Sequence, residues 1–395
     1  MKCKILLYNL LPDIFKRWYL LKKSKEYPII KKPNSILNVA KQAKGHTWEK
    51  TYYAPLYGHC KEQCLEVTHP IQSMYFENNV IVNTDSDIII TDKGVFWDKY
   101  NTEEFVTWAK PADSNLLSFD RNIIRVIRHN KPIHIEGTSL FLAGNWTNVW
   151  SHFILQNLCK LFVAGENGIL DENINILMHK REDRNIIEIV TEYLKKYTNT
   201  KIVYLEPYTD YVCDKLYFMP STYTNYDEYR FRLDYTDVMP QCYIDMIDQY
   251  VVKPLINKIK DRKALHTKIF IGRKGAKRNL TNYEEIHNYF ISQGFVDIEG
   301  SSLSIEEKAN IFYHAKEIVG LYGSATQNFI FCNNANCLIF TNYRMSTDPC
   351  LYTQARRYVR KWINVSGYDE NSEYHSNYTI SLDKVKEAYT KHIKL

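Results

Sequence analysis

The C-terminal half of the chain repeats one unit, a short apolar run followed by a helical segment with its own start signal, and few folds accept that pattern. KIFIGRK (Lys268 to Lys274) has the length and apolar content of a strand. Thr281-Asn-Tyr-Glu284 has the spacing of a capping box opening a helix that stops at Gly294, and FVDIEG follows as a strand. Ser304-Ile-Glu-Glu307 is a second capping box, opening a helix whose Ile305, Ala309, Phe312 and Ala315 face inward. EIVGLYG, the helix start SATQNFIFC and the strand CLIFT complete the series. Strands joined by short-linked crossover helices predict a parallel sheet covered on both faces.

The N-terminal half is less regular. From Asn78 to Asp98, two β-rich runs and polar turns, one holding Asp92-Lys93-Gly94, predict a small antiparallel ribbon. KPIHIEGTSLFLAG continues in extended character, and from Asn148 to Ala164 the period turns helical. Leu155, Leu158, Cys159 and Phe162 form the core stripe of that helix, and His152 and Gln156, four apart, share its edge. INILMH, RNIIEIVTEYLKKY, KIVYLEPY and KLYFMP then read as strand, helix, strand and strand. The stretch from Pro240 to Ala264 is helical in composition but interrupted by Pro254, and its charged KIKDRK marks a junction.

A chain of 395 residues exceeds what one core usually organises, so two α/β lobes are expected. The expected division is a basic amphipathic segment over 1–44, an N-terminal lobe over 45–240, a helical linker over 241–266 and a C-terminal lobe over 267–365. Residues 366–395 are expected to form a terminal helix that returns to the N-terminal lobe.

Composition narrows the partners. The balance of 51 Lys and Arg against 45 acidic residues gives a net charge of +6, too weak over this length for a duplex nucleic acid partner. Anionic small molecules and an anionic membrane surface remain compatible with it. Nine scattered cysteines, with Cys159, Cys332 and Cys337 inside apolar runs, read as buried thiols of a reducing cytoplasm. HCKEQC, from His59 to Cys64 with His69 nearby, lacks the usual spacing of zinc ligand pairs and reads as a loop. No apolar run reaches the roughly 18 residues of a membrane span. The start of the chain sets Ile14, Phe15, Trp18, Leu20 and Leu21 against Lys16, Arg17, Lys22 and Lys23, which suits either a helix packed on its own domain or a membrane surface. Four N-glycosylation sequons begin at Asn145, Asn279, Asn364 and Asn377, and without a secretory signal they carry no weight.

The chemistry is expected at two strand ends of the C-terminal sheet. Arg273 follows KIFIG, and Gly323-Ser324-Ala325 follows EIVGLY. A glycine lets a ligand approach the backbone, and the amides of Ser324, Ala325 and Thr326 at a helix start offer donors to an anion. Arg273, Lys274, Lys277 and Arg278 supply positive charge, and together the groups suit a diphosphate.

The order RKGAKRNLTNYEE, then GF, then LSIEEKANIF, then AKEIVGLYGSATQNFIF resembles glycosyltransferase family 61, and the likeness extends more weakly to WSHFILQNLCKLF and the ribbon at Asn78 to Asp98. The resemblance implies a GT-B arrangement: two Rossmann-like lobes with a cleft between them, the nucleotide-sugar in the C-terminal lobe, a glycan or lipid-linked glycan acceptor facing the other, and inversion at the anomeric carbon. It implies a nucleotide-sugar donor, UDP-linked, no resident cofactor, and a role in surface polysaccharide synthesis at the cytoplasmic face of a membrane. By position, Arg273, Arg278, Asn282, Glu307, Gly323, Ala325 and Asn328 match the family pattern, with Lys274, Tyr322 and Ser324 beside them. The chain departs from the family in three places: Tyr322 stands where His is common, Gln156 where a carboxylate is common, and LIFTN lacks the usual Glu. Gln156 cannot act as a base, which leaves His152 as the expected general base.

Two other functions fit the same sequence. Asp85-Ser86-Asp87 is a DxD sequence of the kind by which metal-dependent transferases hold a divalent ion, although Asn, Asp and Ser between strands are also ordinary turn formers. A family member that binds nucleotide or glycan without turnover would explain the departures.

Overall fold

The computed structural model describes residues 19–30, 36–37, 47–58, 61–69, 74–97, 113–119, 122–129, 131–222, 239–273, 278–300, 302–347, 349–368 and 376–395. Lys274, Lys277, His59, Cys60 and most of the basic N-terminal segment lie outside the described residues.

The β-α-β reading of the C-terminal half holds. Strands Lys268–Ile271, Val296–Asp297, Glu317–Leu321, Ala335–Asn342 and Val359–Gly367 form one sheet in which every neighbouring pair is parallel. The central strands are buried along their whole length, which accounts for their unbroken apolar runs. Gly320 lets two of them come close: a Cβ there would lie 2.7 Å from both the Cβ and the carbonyl oxygen of Ile271. Gly320→Val should therefore destabilise the protein by about 1–3 kcal/mol, as overpacking does. An unchanged urea midpoint would show that the strands separate at no cost.

The Ser304 capping box forms as read, with the Ser304 hydroxyl accepting from the Glu307 amide and the Glu307 carboxylate accepting from the Ser304 amide at 2.8 Å. The box expected at Thr281 does not form. Asn282 takes the N-cap position of helix Tyr283–Ser292, and its amide donates instead to the carbonyl of Ile380 at 2.8 Å.

In the N-terminal half, Ile133–Phe141, Ile174–His179 and Thr200–Leu205 run parallel within a larger mixed sheet. The ribbon is present as Met74–Asn83, Ile88–Thr91 and Gly94–Trp97, paired antiparallel. The helix expected over Asn148 to Ala164 is two helices, Trp150–Gln156 and Leu158–Glu166. Thr222 explains the break: its amide and hydroxyl donate to the carbonyls of Gln156 (3.0 Å) and Leu155 (2.6 Å), taking acceptors that a continuous helix would use. The interruption expected at Pro254 is milder than a break. Helices Gln241–Ile247 and Lys253–Ile259 join through a π segment, Asp248–Val252, which absorbs the missing amide.

One apolar core runs through both sheets, taking Leu140 and Ile176 from the larger, Ile269 and Ile339 from the parallel one, and Phe153 and Phe162 from the split helix. Two segments lie where the sequence division does not put them. The hairpin of Thr47–Tyr53 and Gln63–His69 attaches to the C-terminal half, through Glu62 to Arg356 (3.0 Å) and Tyr352 (2.6 Å) and through the Tyr57 amide to the Asn364 carbonyl. The terminal helix Leu382–His392 packs its Val385, Ala388 and Tyr389 against Phe290, Leu338 and Phe340 of the parallel sheet's layer, not against the larger sheet. Among the described residues no helix is long and apolar enough to cross a membrane.

Candidate active site

Numbered along the chain, the parallel sheet has the order 2-1-3-4-5. The chain leaves its first strand to one side and crosses back to place its third on the other, opening a crevice beyond the carboxyl ends of those two strands, where ligands of such sheets bind. Arg273 follows the first strand and Gly323 the third.

Arg273 is half-buried beside Gly323, where a Cβ would stand 2.9 Å from its Nη1. The side chain of Arg273 donates to the Tyr322 carbonyl at 3.1 Å and pairs with no carboxylate among the described residues. Burial, and then the positive charge of Arg278, lower its pKa. A guanidinium desolvated beside a like charge, with no acid among the described residues to offset it, can take up an anion. Arg278 holds a left-handed φ of 64° and directs Nη1 to the Met345 sulfur at 3.4 Å.

The segment after Gly323, read as a helix start, is a 3-10 helix, Ser324–Phe331. Side chains tighten it: Thr326 Oγ1 donates to the Gly323 carbonyl at 2.6 Å and Asn328 Nδ2 to the Ala325 carbonyl at 2.9 Å. The Thr326 amide is consumed by the Gly323 carbonyl at 2.9 Å, which removes one of the three expected donors. The amides of Ser324 and Ala325 donate to nothing among the described residues. Asn328 is buried, and its Oδ1 has no partner among them.

The N-terminal half reaches this crevice through Ser151, whose Oγ donates to Ser324 Oγ at 3.1 Å. His152 is the next residue. Gln156 Nε2 lies 3.3 Å from its Nδ1, so the edge pairing read from the sequence is present, and the Trp146 ring meets the imidazole edge-on at 5.2 Å.

The Asp85-Ser86-Asp87 turn is tied into the carboxyl ends of the larger sheet. Asp85 Oδ1 accepts from His179 Nε2 at 3.1 Å and Oδ2 from the Tyr208 amide at 2.6 Å. Burial opposes ionisation of Asp85, and these bonds outweigh it and hold its carboxyl below the usual value. Ser86 Oγ and the Asp87 amide both donate to Asp113 Oδ2 at 3.0 Å. The turn therefore spends its carboxylates on the fold, and among the described residues no group of three His, Cys, Asp or Glu is placed to hold a metal. Next to it, Glu182 accepts from the His179 amide at 3.1 Å, and burial pushes its carboxyl up to about 8.

Arg273, Arg278, Gly323, Ser324, Ala325 and Asn328 thus gather near one crevice, with His152 joined to it through Ser151. Tyr322 is there too, but its side chain packs in the core and its carbonyl serves Arg273. Glu307 and Asn282 act as helix caps and staples, with bonds to Ser304 and Ile380. Lys308 is a residue the sequence reading passed over. It is 4 % exposed, stands 5.6 Å from the Trp150 ring, and makes no ion pair among the described residues. Burial lowers its pKa against the opposing pull of Asp183 and Glu188.

Basic side chains and a glycine turn at the switch point of a parallel sheet, with a histidine of the other sheet's helix layer nearby, stand where α/β proteins commonly bind anionic ligands. Residues 150–339 match the model of the family described as Glycosyltransferase 61. The match starts at Trp150, so the weaker likeness of the ribbon lies outside it. No curated protein matches the chain significantly.

Proposed function

We propose that the chain is an inverting glycosyltransferase with facing α/β lobes in the GT-B manner. In this reading it moves a hexose or pentose from a UDP-linked donor to a glycan or lipid-linked glycan in surface polysaccharide synthesis. The observation that carries the reading is Arg273, half-buried beside Arg278 at the switch-point crevice without a carboxylate partner among the described residues. The donor diphosphate supplies the missing anion. As the glycosidic bond to the diphosphate breaks, charge builds on the leaving oxygens, and Arg273, Arg278 and the Ser324 and Ala325 amides stabilise it. His152 takes the proton of the attacking acceptor hydroxyl from the opposite side. Work at the cytoplasmic face of a membrane, held by the basic N-terminal segment, belongs to the same proposal, as does independence from a metal, which the engagement of Asp85 by His179 and Tyr208 supports.

Arg273→Ala should weaken UDP or UDP-sugar binding by about 1.5–3 kcal/mol, the range for a charge-assisted hydrogen bond, with the fold retained. Calorimetric titration checks this, and an unchanged affinity removes Arg273 from the site. A second reading, a binder without turnover, is favoured by Gln156 at the usual carboxylate position beside His152. Slow hydrolysis of any UDP-, GDP- or CMP-sugar by the purified protein decides against it.

A further inference from the structure

In the loop after strand Ile133–Phe141, the turn Asn145 to Thr147 is built inside out. Asn145 and Thr147 are buried, at 6 % and 0 % exposure, while Trp146 between them is 40 % exposed. Burial of Asn145 also disposes of the sequon, which needs an accessible amide. Solvation alone would turn the indole in and the amide out, so this inversion adds nothing to stability.

The backbone is held in place at a cost as well. Trp146 has a left-handed φ of 62°, a region that bulky L-residues avoid. The neighbours enforce it. The Asn145 amide donates to Asp87 Oδ1 at 3.3 Å, and a Cβ on Gly144, whose φ is 159°, would stand 2.5 Å from that oxygen. The Thr147 hydroxyl closes the turn on the Gly144 carbonyl at 3.1 Å, and the Val149 amide donates to the Trp146 carbonyl at 3.0 Å. The strained, exposed indole is aimed at His152, edge to face at 5.2 Å. Strain of this kind is kept where a residue serves a ligand.

We propose that Trp146 is the platform on which a pyranose ring of the acceptor stacks, placing its hydroxyl at His152. This rests on the transferase reading above. A rigid indole face pairs well with the C–H face of a pyranose and loses little side-chain entropy in doing so. The ring concerned is the acceptor's and not the donor's base, because Trp146 stands on the larger sheet's loop beside the group that receives the acceptor proton. Arg273 and Gly323, which hold the diphosphate, follow strands of the other sheet. The Asp85-Ser86-Asp87 turn acquires a role at the same time: through Asp87 it buttresses the platform.

The test compares wild type with Trp146→Ala, Trp146→Phe and Trp146→Gly on an array of pyranose oligosaccharides, with UDP titrated into each protein by calorimetry. The alanine and glycine variants should lose glycan binding at least tenfold, the phenylalanine variant should stay within about threefold, and UDP affinity should stay within about twofold throughout. Because glycine suits this φ, Trp146→Gly should melt no lower than Trp146→Ala, which separates lost recognition from lost folding. Equal glycan binding by wild type and the alanine variant overturns the proposal, as does a wild type that binds UDP but no glycan. Parallel losses of glycan and UDP would assign the indole to the donor. A wild type that binds neither removes the transferase reading and the platform with it.

Discussion

Replacing His152 by alanine should lower kcat by about a hundredfold to ten-thousandfold while leaving donor affinity near that of wild type, because a general base acts on the transition state and not on donor binding. The expectation rests on two contacts. Ser151, the preceding residue, bonds to Ser324 at the turn after Gly323, and Gln156 engages the imidazole Nδ1. The second contact sets the chemistry. An amide that presents its oxygen to Nδ1–H makes Nε2 the basic nitrogen, whereas one that presents its NH2 makes Nδ1 the acceptor and fixes the proton on Nε2. In the structure the amide nitrogen faces Nδ1, which is the second arrangement. His152 works as a base only in the first, which requires the Gln156 amide to turn over, and Gln156 so turned takes over the orienting part of the carboxylate that the family commonly has there. Gln156→Glu should then keep activity and move the acid limb of the pH–rate profile upward, since a neighbouring carboxylate favours the protonated imidazole. Loss of donor binding or of folding in His152→Ala would make the residue structural, and full activity would send the proton elsewhere.

The parts of this site that could be read from the sequence are those fixed by local chemistry. Ser304 and Glu307 announce a helix because both halves of the capping box lie within four residues, and the structure forms it. His152 and Gln156 meet because one helical turn brings them together. The strand order is different in kind. Nothing local says that Lys268–Ile271 sits between Val296–Asp297 and Glu317–Leu321, yet that order is what opens the crevice between Arg273 and Gly323. Lys308 escaped notice because an amphipathic reading assigns one face to the core, and this helix buries Ile305 and the whole run Lys308 to Phe312 against several neighbours. Thr281 misled for the opposite reason. Its cap signal is sound locally, but Asn282, one residue on, gains bonds to a distant segment at Ile380.

Stability should fall as pH rises from about 4.5 to about 8, and Glu182→Gln should remove that dependence. Glu182 sits at the carboxyl end of strand Ile174–His179, is 9 % exposed, and has an Oε2 without a partner among the described residues. Burial is the largest influence on it and raises its pKa to about 8, against the lowering bond from the His179 amide. The sign follows from proton counting. Below pH 4.5 the carboxyl is protonated in both states, so its contribution is constant and complete. Between 4.5 and 8 the unfolded chain has released the proton while the folded one keeps it, and each step in pH favours unfolding. Above 8 the folded carboxylate ionises in place and nothing more is lost. The total is on the order of 3–5 kcal/mol for an isolated titration, and water entering the site would reduce it. Urea unfolding of wild type and Glu182→Gln between pH 5 and 8.5 should give curves that diverge steadily, with the variant gaining on wild type as pH rises. Parallel curves would mean that the carboxylate finds a partner when it ionises. His179 is the group whose position would record that rearrangement: its amide holds Glu182, and its ring holds Asp85 at the turn that supports Trp146.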